Sequence, residues 1–141
     1  MILYADTSSL VKLYLAEEGS DEMRRLSSLA DEVSSSNVAY AETRVAIARA
    51  LREGRIREPE FRAARRKFEV EWADLPAVIL RDEILRRAGD LGDRHPIRGF
   101  DAIHLASAIA LREQVSSDVR FASADRRLGG AATAEGFRLA P

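Results

Sequence analysis

Four acidic residues stand in contexts that suit the binding of a divalent cation: Asp6, Glu42, Asp101 and Asp125. Carboxylate oxygens are preferred ligands of Mg²⁺ and Mn²⁺, and a few acids that hold such an ion form a common device for hydrolysing phosphodiesters. The acids are scattered along the chain, so only a fold could bring them together. The elements around them therefore decide whether this chemistry is available.

The pattern of apolar residues predicts strands that alternate with helices. The expected strands are 2–5, 32–36, 77–80, 119–123 and 137–139. The expected helices are 7–16, one that ends near residue 30, 38–53, 59–72, 81–91, 100–113 and 125–132. Such alternation is typical of an α/β layered domain with a mainly parallel sheet.

This arrangement predicts where the acids lie. Asp6 and Asp125 each follow a predicted strand, Asp101 lies in the first turn of a helix, and Glu42 lies one turn into the helix after the second strand. Open parallel sheets bind ligands beyond the carboxyl ends of their strands, so the acids are expected to face one crevice. Each acid also has a structural explanation, because carboxylates at helix starts act as caps and exposed helical glutamates are common.

Composition sets the broad class. The chain has 141 residues, of which 46% are hydrophobic and 32% charged, as expected for one globular domain spanning 1–141. The net charge is −1, and Lys12 and Lys67 are the only lysines among 22 basic residues. If the four acids share one pocket, the rest of the chain is net positive, with arginine available for phosphate contacts.

Several kinds of site are excluded by composition. The absence of cysteine rules out disulfides, thiolate zinc sites and cysteine nucleophiles. The first apolar run breaks at Asp6, too early for a signal peptide, and no run approaches the ~18 apolar residues of a membrane span. A cytoplasmic protein is expected.

Four segments together resemble the PIN-domain ribonucleases, and specifically the VapC-type toxins of toxin–antitoxin pairs. Tyr4–Tyr14 (YADTSSLVKLY) is similar to the start of that family, and 39–43 (AYAET) to its second acidic motif. Phe100–Ala108 (FDAIHLASA) resembles the third motif, and Phe121–Leu128 (FASADRRL) the fourth. The resemblance covers essentially the whole chain in the family's order, although the second motif depends on one glutamate.

The resemblance implies a three-layer α/β/α sandwich with a five-stranded sheet, usually dimeric. It implies that the four acids hold Mg²⁺ or Mn²⁺ and that the substrate is RNA. Ser8 would support Asp6 or a metal-bound water, and Thr7 is a further supporting residue. Ser123 stands where the family more often has threonine, which preserves the hydroxyl. The implied partner is an antitoxin that wraps the toxin and inserts a basic or aromatic residue near the acids.

Four other residues are candidates for contact with RNA. Arg98 lies in the loop before Asp101, and Arg126 and Arg127 directly follow Asp125. His104 lies one helical turn beyond Asp101 and could contact RNA or the metal. However, a partly buried, hydrogen-bonded histidine fits its apolar surroundings better.

Two functions of other classes remain open. A nucleotide-binding α/β protein is disfavoured, because no glycine-rich phosphate-binding motif follows the first strand and Gly129-Gly130 lies in the last helix. An interaction module is a stronger rival, since an acidic cleft also recruits arginine from a partner. Metal dependence distinguishes an interaction module from a nuclease, because such a module would hold its partner in EDTA and would cleave no RNA.

Overall fold

A five-stranded parallel sheet forms the centre of the computed structural model, which describes residues 1–140. The strand order is β3-β2-β1-β4-β5, and every neighbouring pair is parallel. The strands are β1 (Ile2–Ala5), β2 (Glu32–Ser36), β3 (Ala77–Val78), β4 (Val119–Ala122) and β5 (Arg138–Ala140). The α/β class and the central parallel sheet predicted from the sequence are confirmed.

Seven α-helices connect and cover the strands. They are α1 (Thr7–Leu10), α2 (Ser20–Leu29), α3 (Val38–Arg52), α4 (Glu58–Trp72), α5 (Asp82–Arg94), α6 (Gly99–Gln114) and α7 (Arg126–Ala134), with a 3₁₀ turn at Val11–Leu13. Among residues 1–140, no helix combines the length and apolar character needed to cross a membrane.

The central strand separates two apolar cores. Ile2 and Tyr4 contribute to the core beneath α5, α6 and α7, whereas Leu3 and Ala5 contribute to the core beneath α1 to α4. This division follows from the strand's alternation of side chains between the two faces. β1 is buried along its full length, as expected for a central parallel strand. The result is the three-layer sandwich.

The pairing of β1 with β4 fixes the position of the candidate site. Ala5 is in register with Ala122, and the Asp6 amide donates to the Ala122 carbonyl at 3.0 Å. The residues that follow the two strands therefore emerge side by side at the carboxyl edge of the sheet. The two strands that Asp6 and Asp125 follow are thus neighbours in the sheet.

The first helix differs from the prediction. It ends at Leu10 and continues as the 3₁₀ turn, instead of running to residue 16. The tighter turn accompanies burial of Val11 and Leu15, which are 7% and 5% exposed. The N-cap of α1 is Asp6, since the Asp6 carboxylate accepts from the Ser9 amide.

Candidate active site

Asp6 is held at the carboxyl end of β1 by three donors. Its Oδ1 accepts from Ser8 Oγ at 2.7 Å and from the Ser9 amide at 3.0 Å, and its Oδ2 accepts from Ser123 Oγ at 2.6 Å. The Ser8 hydroxyl also accepts from the Ala124 amide at 3.0 Å, which ties the loops after β1 and β4 together. The orientation of this carboxylate is therefore fixed by its surroundings.

Burial and hydrogen bonding act in opposite directions on Asp6. The residue is only 3% exposed, and this burial raises the pKa of its carboxyl above the ordinary value although the Ser123 and Ser8 hydroxyls lower it. The ionised form is thus poorly solvated, and positive charge beside it would be stabilising.

Glu42 is oriented by a network of hydrogen-bonded side chains. Its Oε1 accepts from Thr7 Oγ1 at 2.6 Å and from His104 Nε2 at 2.9 Å. The other ring nitrogen of His104, Nδ1, lies 3.0 Å from the Tyr4 hydroxyl. One arrangement satisfies every group: the Tyr4 hydroxyl donates to Nδ1, and Nε2–H donates to Glu42.

This network keeps Glu42 ionised. Burial alone would raise its pKa, but the hydrogen bonds from His104 and Thr7, together with the charge of Arg98, hold the pKa below the usual value. Tyr4 is fully buried and its pKa is raised well above the ordinary value, chiefly by that burial. The tyrosine therefore stays neutral and can act as a hydrogen-bond donor.

Asp101 and Asp125 share a single arginine. Arg98 Nε donates to Asp101 Oδ2 at 3.0 Å, and Arg98 Nη2 lies 3.7 Å from Asp125 Oδ2. Asp125 also caps α7 by accepting from the Leu128 amide at 3.0 Å, and its own amide donates to Ser123 Oγ at 3.0 Å. Ser123 thus connects the first and fourth acids, whereas Arg98 connects the third and fourth.

All four predicted acids contribute to this linked arrangement at the carboxyl edge, but they do not form one tight cluster. Within residues 1–140, no three acidic or histidine side chains converge closely enough to hold a common cation. The donor set nevertheless suits a hard cation, because it consists of carboxylates and hydroxyls. A positive group is already stabilised here, since the Arg98 guanidinium lies between two of the acids.

The candidate RNA contacts fall into two groups. Arg126 and Arg127 are exposed and form no ion pair with any residue in 1–140, so they remain candidates. His104 is 2% exposed and uses both ring nitrogens internally, which places it away from any surface that RNA could reach. We therefore assign it a positioning role toward Glu42 and not RNA contact.

Tyr4 was missed in the sequence analysis, where it counted only as part of an apolar strand. A signal was present, because a tyrosine in a fully buried strand needs a partner for its hydroxyl. The partner, His104, lies 100 positions away in sequence, and only the packing of α6 against β1 reveals it.

The chain is similar to known proteins over nearly its full length. A family model described as "PIN domain" matches residues 3–127. Ribonuclease VapC45 and Ribonuclease VapC49, both of Mycobacterium tuberculosis, are each 39% identical to this chain over 140 residues. The aligned region covers 99% of this chain and 95% of each relative.

Solved structures of low sequence identity share the fold. A toxin–antitoxin complex from Klebsiella pneumoniae contains a chain with a TM-score of 0.65 and 16% identity, and the match covers 92% of both chains. FitAcB from Neisseria gonorrhoeae gives a TM-score of 0.69 at 14% identity, covering 100% of this chain and 97% of the other. With the family match and the VapC relatives, these likenesses lead to one conclusion: the chain belongs to the PIN-domain family and is of the VapC type.

Proposed function

We propose that this protein is a metal-dependent endoribonuclease and the toxin of a toxin–antitoxin pair. The observation that carries the proposal is the linked set of four acids at the carboxyl edge of the sheet. Asp6 and Glu42 are held in fixed orientations there, and Asp101 and Asp125 face each other across Arg98. The full-length similarity to two proteins named as ribonucleases supports RNA cleavage as the reaction.

The four acids are the proposed ligands of Mg²⁺ or Mn²⁺. A divalent cation bound by such acids activates water and stabilises charge on the phosphoryl group. Asp6 would contribute through Oδ2. A carboxylate offers about four lone-pair sites, and Ser8, Ser9 and Ser123 already use three of them, two on Oδ1 and one on Oδ2.

Other side chains orient Glu42 or supply positive charge for an RNA substrate. His104 and Thr7 fix one oxygen of Glu42 and leave Oε2 free of the protein hydrogen bonds described above. Arg126 and Arg127 are exposed beside the fourth acid and are proposed to contact phosphate. Single-stranded segments of RNA are the proposed target, because side chains reach unstacked bases there.

The proposed partners are a cognate antitoxin and a second copy of this chain. An antitoxin is supported by the structural neighbour described as a toxin–antitoxin complex. The homodimer follows from the family resemblance and is tested by sedimentation of the purified protein. We propose that residues 1–141 act as one nuclease domain in the cytoplasm, where RNA is available.

A second function is favoured by one observation. Because Asp101 and Asp125 already bind a guanidinium, the acids could instead serve to recruit arginine from a protein partner without catalysis. Such a module would retain its partner in EDTA, whereas a nuclease would lose its activity there.

The test is cleavage of a labelled pool of structured RNAs by the wild type and by Asp6→Asn, each with Mg²⁺, Mn²⁺ or EDTA. Asparagine preserves the shape of Asp6 while removing the charge, so we expect a folded protein with no cleavage. Cutting that requires both the metal and Asp6 supports the nuclease and excludes a contaminant. Persistent absence of cutting by antitoxin-free protein would favour the binding module.

A further inference from the structure

Arg98 is the one cationic side chain, among residues 1–140, that forms ion pairs with two of the four acids. Its Nε lies 3.0 Å from Asp101 Oδ2 and its Nη2 lies 3.7 Å from Asp125 Oδ2. Its charge also acts on Glu42, whose pKa it helps to lower. The guanidinium therefore lies in the field of three acids proposed to hold the metal.

The backbone of Arg98 belongs to the start of a helix, whereas its side chain extends into solvent and is held only by ion pairs. Arg98 is the N-cap of α6, and its carbonyl accepts from the Ala102 amide at 2.9 Å. Its side chain is 80% exposed, while those of Asp101 and Asp125 are only 15% and 33% exposed. Exposed ion pairs are weak, so the guanidinium can leave these carboxylates at little cost while its Cα stays beside the site.

From this arrangement we infer that Arg98 and the divalent cation compete for Asp101 and Asp125, and that the displaced guanidinium then binds an RNA phosphate. This inference rests on the proposed function. A guanidinium in contact with a carboxylate oxygen faces a like charge if a metal cation approaches the lone pairs of that oxygen. A doubly charged ion held by several acids displaces a single exposed arginine.

The displaced side chain has a suitable ligand nearby. A guanidinium presents a planar set of donors that matches phosphate as well as carboxylate. RNA that approaches the acids brings a phosphate to the point that Arg98 can reach from its fixed backbone. Cation binding thus releases the arginine for the substrate, and the two ligands are positively coupled.

Competition has a specific experimental signature, because removal of Arg98 should affect the two ligands in opposite directions. Cation binding should become tighter, since a competitor is gone, whereas RNA binding in the presence of the cation should become weaker. A residue that only stabilises the fold, or one that only binds RNA, would not tighten the cation. The opposite signs therefore distinguish this role from both alternatives.

Arg57 provides a matched control. It is the N-cap of α4, its side chain is 86% exposed, and its Nε lies 3.2 Å from the acid three residues later, Glu60. This repeats the local relation between Arg98 and Asp101 outside the group of four acids. Arg57→Gln removes the same kind of ion pair without changing the proposed site.

The first measurement is titration of Mn²⁺ into RNA-free wild type, Arg98→Gln, Arg98→Lys and Arg57→Gln by calorimetry. We expect Arg98→Gln to bind Mn²⁺ about threefold to fivefold more tightly than the wild type, the range that an exposed ion pair allows. Arg57→Gln should match the wild type, and Arg98→Lys should lie between, because the charge remains without the fork. Unchanged or weaker Mn²⁺ binding by a folded Arg98→Gln would overturn the inference.

The second measurement is binding of a labelled single-stranded RNA pool, followed by stopped-flow anisotropy in the first moments after mixing. With Mn²⁺, loss of Arg98 should reduce the slope of log K against log salt by about 0.7, the value for one phosphate contact on a single strand. In EDTA the slope should not change, because Arg98 is then held by the acids. A reduction of the same size in both conditions would overturn the competition. If the wild type bound no Mn²⁺, the proposed function itself would fail, which is a distinct result.

Discussion

Replacement of Tyr4 by phenylalanine tests whether the buried network positions Glu42. The change removes only the hydroxyl, which lies 3.0 Å from His104 Nδ1. The ring should stay in place, since it stacks on Phe121 with 5.5 Å between the centroids and is fully buried. Any effect can therefore be assigned to the lost hydrogen bond.

The expected magnitude follows from the groups left behind. Nδ1 of His104 would be an unpaired acceptor in a residue that is 2% exposed, and such a group costs about 1–3 kcal/mol. A change of tautomer would turn Nδ1 into an equally unpaired buried donor, and it would direct an Nε2 lone pair at the Glu42 carboxylate, 2.9 Å away. Either state weakens the support of Glu42, and loss of a residue behind a metal ligand typically lowers metal affinity or activity by about 10- to 100-fold.

Two measurements and one control are needed. Urea unfolding of Tyr4→Phe should show a loss of about 1–3 kcal/mol, and Mn²⁺ titration should show weaker binding by about tenfold or more. Tyr14→Phe is the control, because its hydroxyl also donates to a carboxylate, Glu71 at 2.7 Å, which is not one of the four acids and belongs to α4. That variant should keep wild-type Mn²⁺ affinity.

The reasoning would be refuted by a Tyr4→Phe protein with wild-type stability, since the buried acceptor would then have cost nothing. A protein that lost stability but bound Mn²⁺ and cleaved RNA as the wild type does would refute the positioning role alone. In that case the hydrogen bond would be a feature of the core without influence on Glu42.

Three further predictions concern stability. Burial raises the pKa of Asp6, so its carboxyl favours the folded state at low pH, and that contribution to stability is lost as the pH rises. At pH 7, Asp6→Asn should therefore unfold at a higher temperature than the wild type. This difference in unfolding temperature should shrink toward pH 4. Hydrogen bonds from His95 and Arg94 lower the pKa of Glu135, so its contribution is present at neutral pH and lost as pH falls through the folded pKa. Glu135→Gln should accordingly cost about 0.5–1 kcal/mol in urea unfolding at pH 7 and nothing in acid. Phe68→Ala should cost about 3–5 kcal/mol, because Phe68 lies on the buried face of α4 and is fully buried, yet cleavage per folded molecule should not change.

The sequence predicted the elements well where local pattern decides them. The predicted strand 32–36 is serine-rich and forms β2, in which the buried hydroxyls of Ser34 and Ser35 donate to the carbonyls of Pro76 and Ala5. The strand 77–80 shortens to two residues, Ala77 and Val78, at the edge of the sheet. Edge position and partner are tertiary properties that a local pattern does not contain.

The residues of the candidate site were likewise predictable from the sequence only in part. The four acids were found because each stands beside the start of an element that sequence pattern locates. Their partners were not found, because the contacts join distant positions: His104 reaches Glu42 across 62 positions, and Ser123 reaches Asp6 across 117. Arg98 is a predicted RNA contact, but its ion pair with Asp125 joins the start of α6 to the start of α7, a contact that a local pattern does not contain.

The four acids are stabilised in two different ways, and the difference determines whether a cation must displace a protein group in order to bind. Asp6 and Glu42 are held chiefly by hydroxyl, amide and imidazole hydrogen-bond donors, and neither forms an ion pair with an arginine or lysine within residues 1–140. Asp101 and Asp125 are instead compensated by the full charge of Arg98. Hydrogen-bond donors of this kind need not leave when a cation binds. They occupy some lone pairs of each carboxylate and orient the remaining lone pairs. A guanidinium does compete. Asp6 and Glu42 are thus preorganised for metal binding, whereas binding at Asp101 and Asp125 is opposed by Arg98. Substitution of the hydrogen-bond donors should therefore weaken cation binding, and substitution of Arg98 should strengthen it.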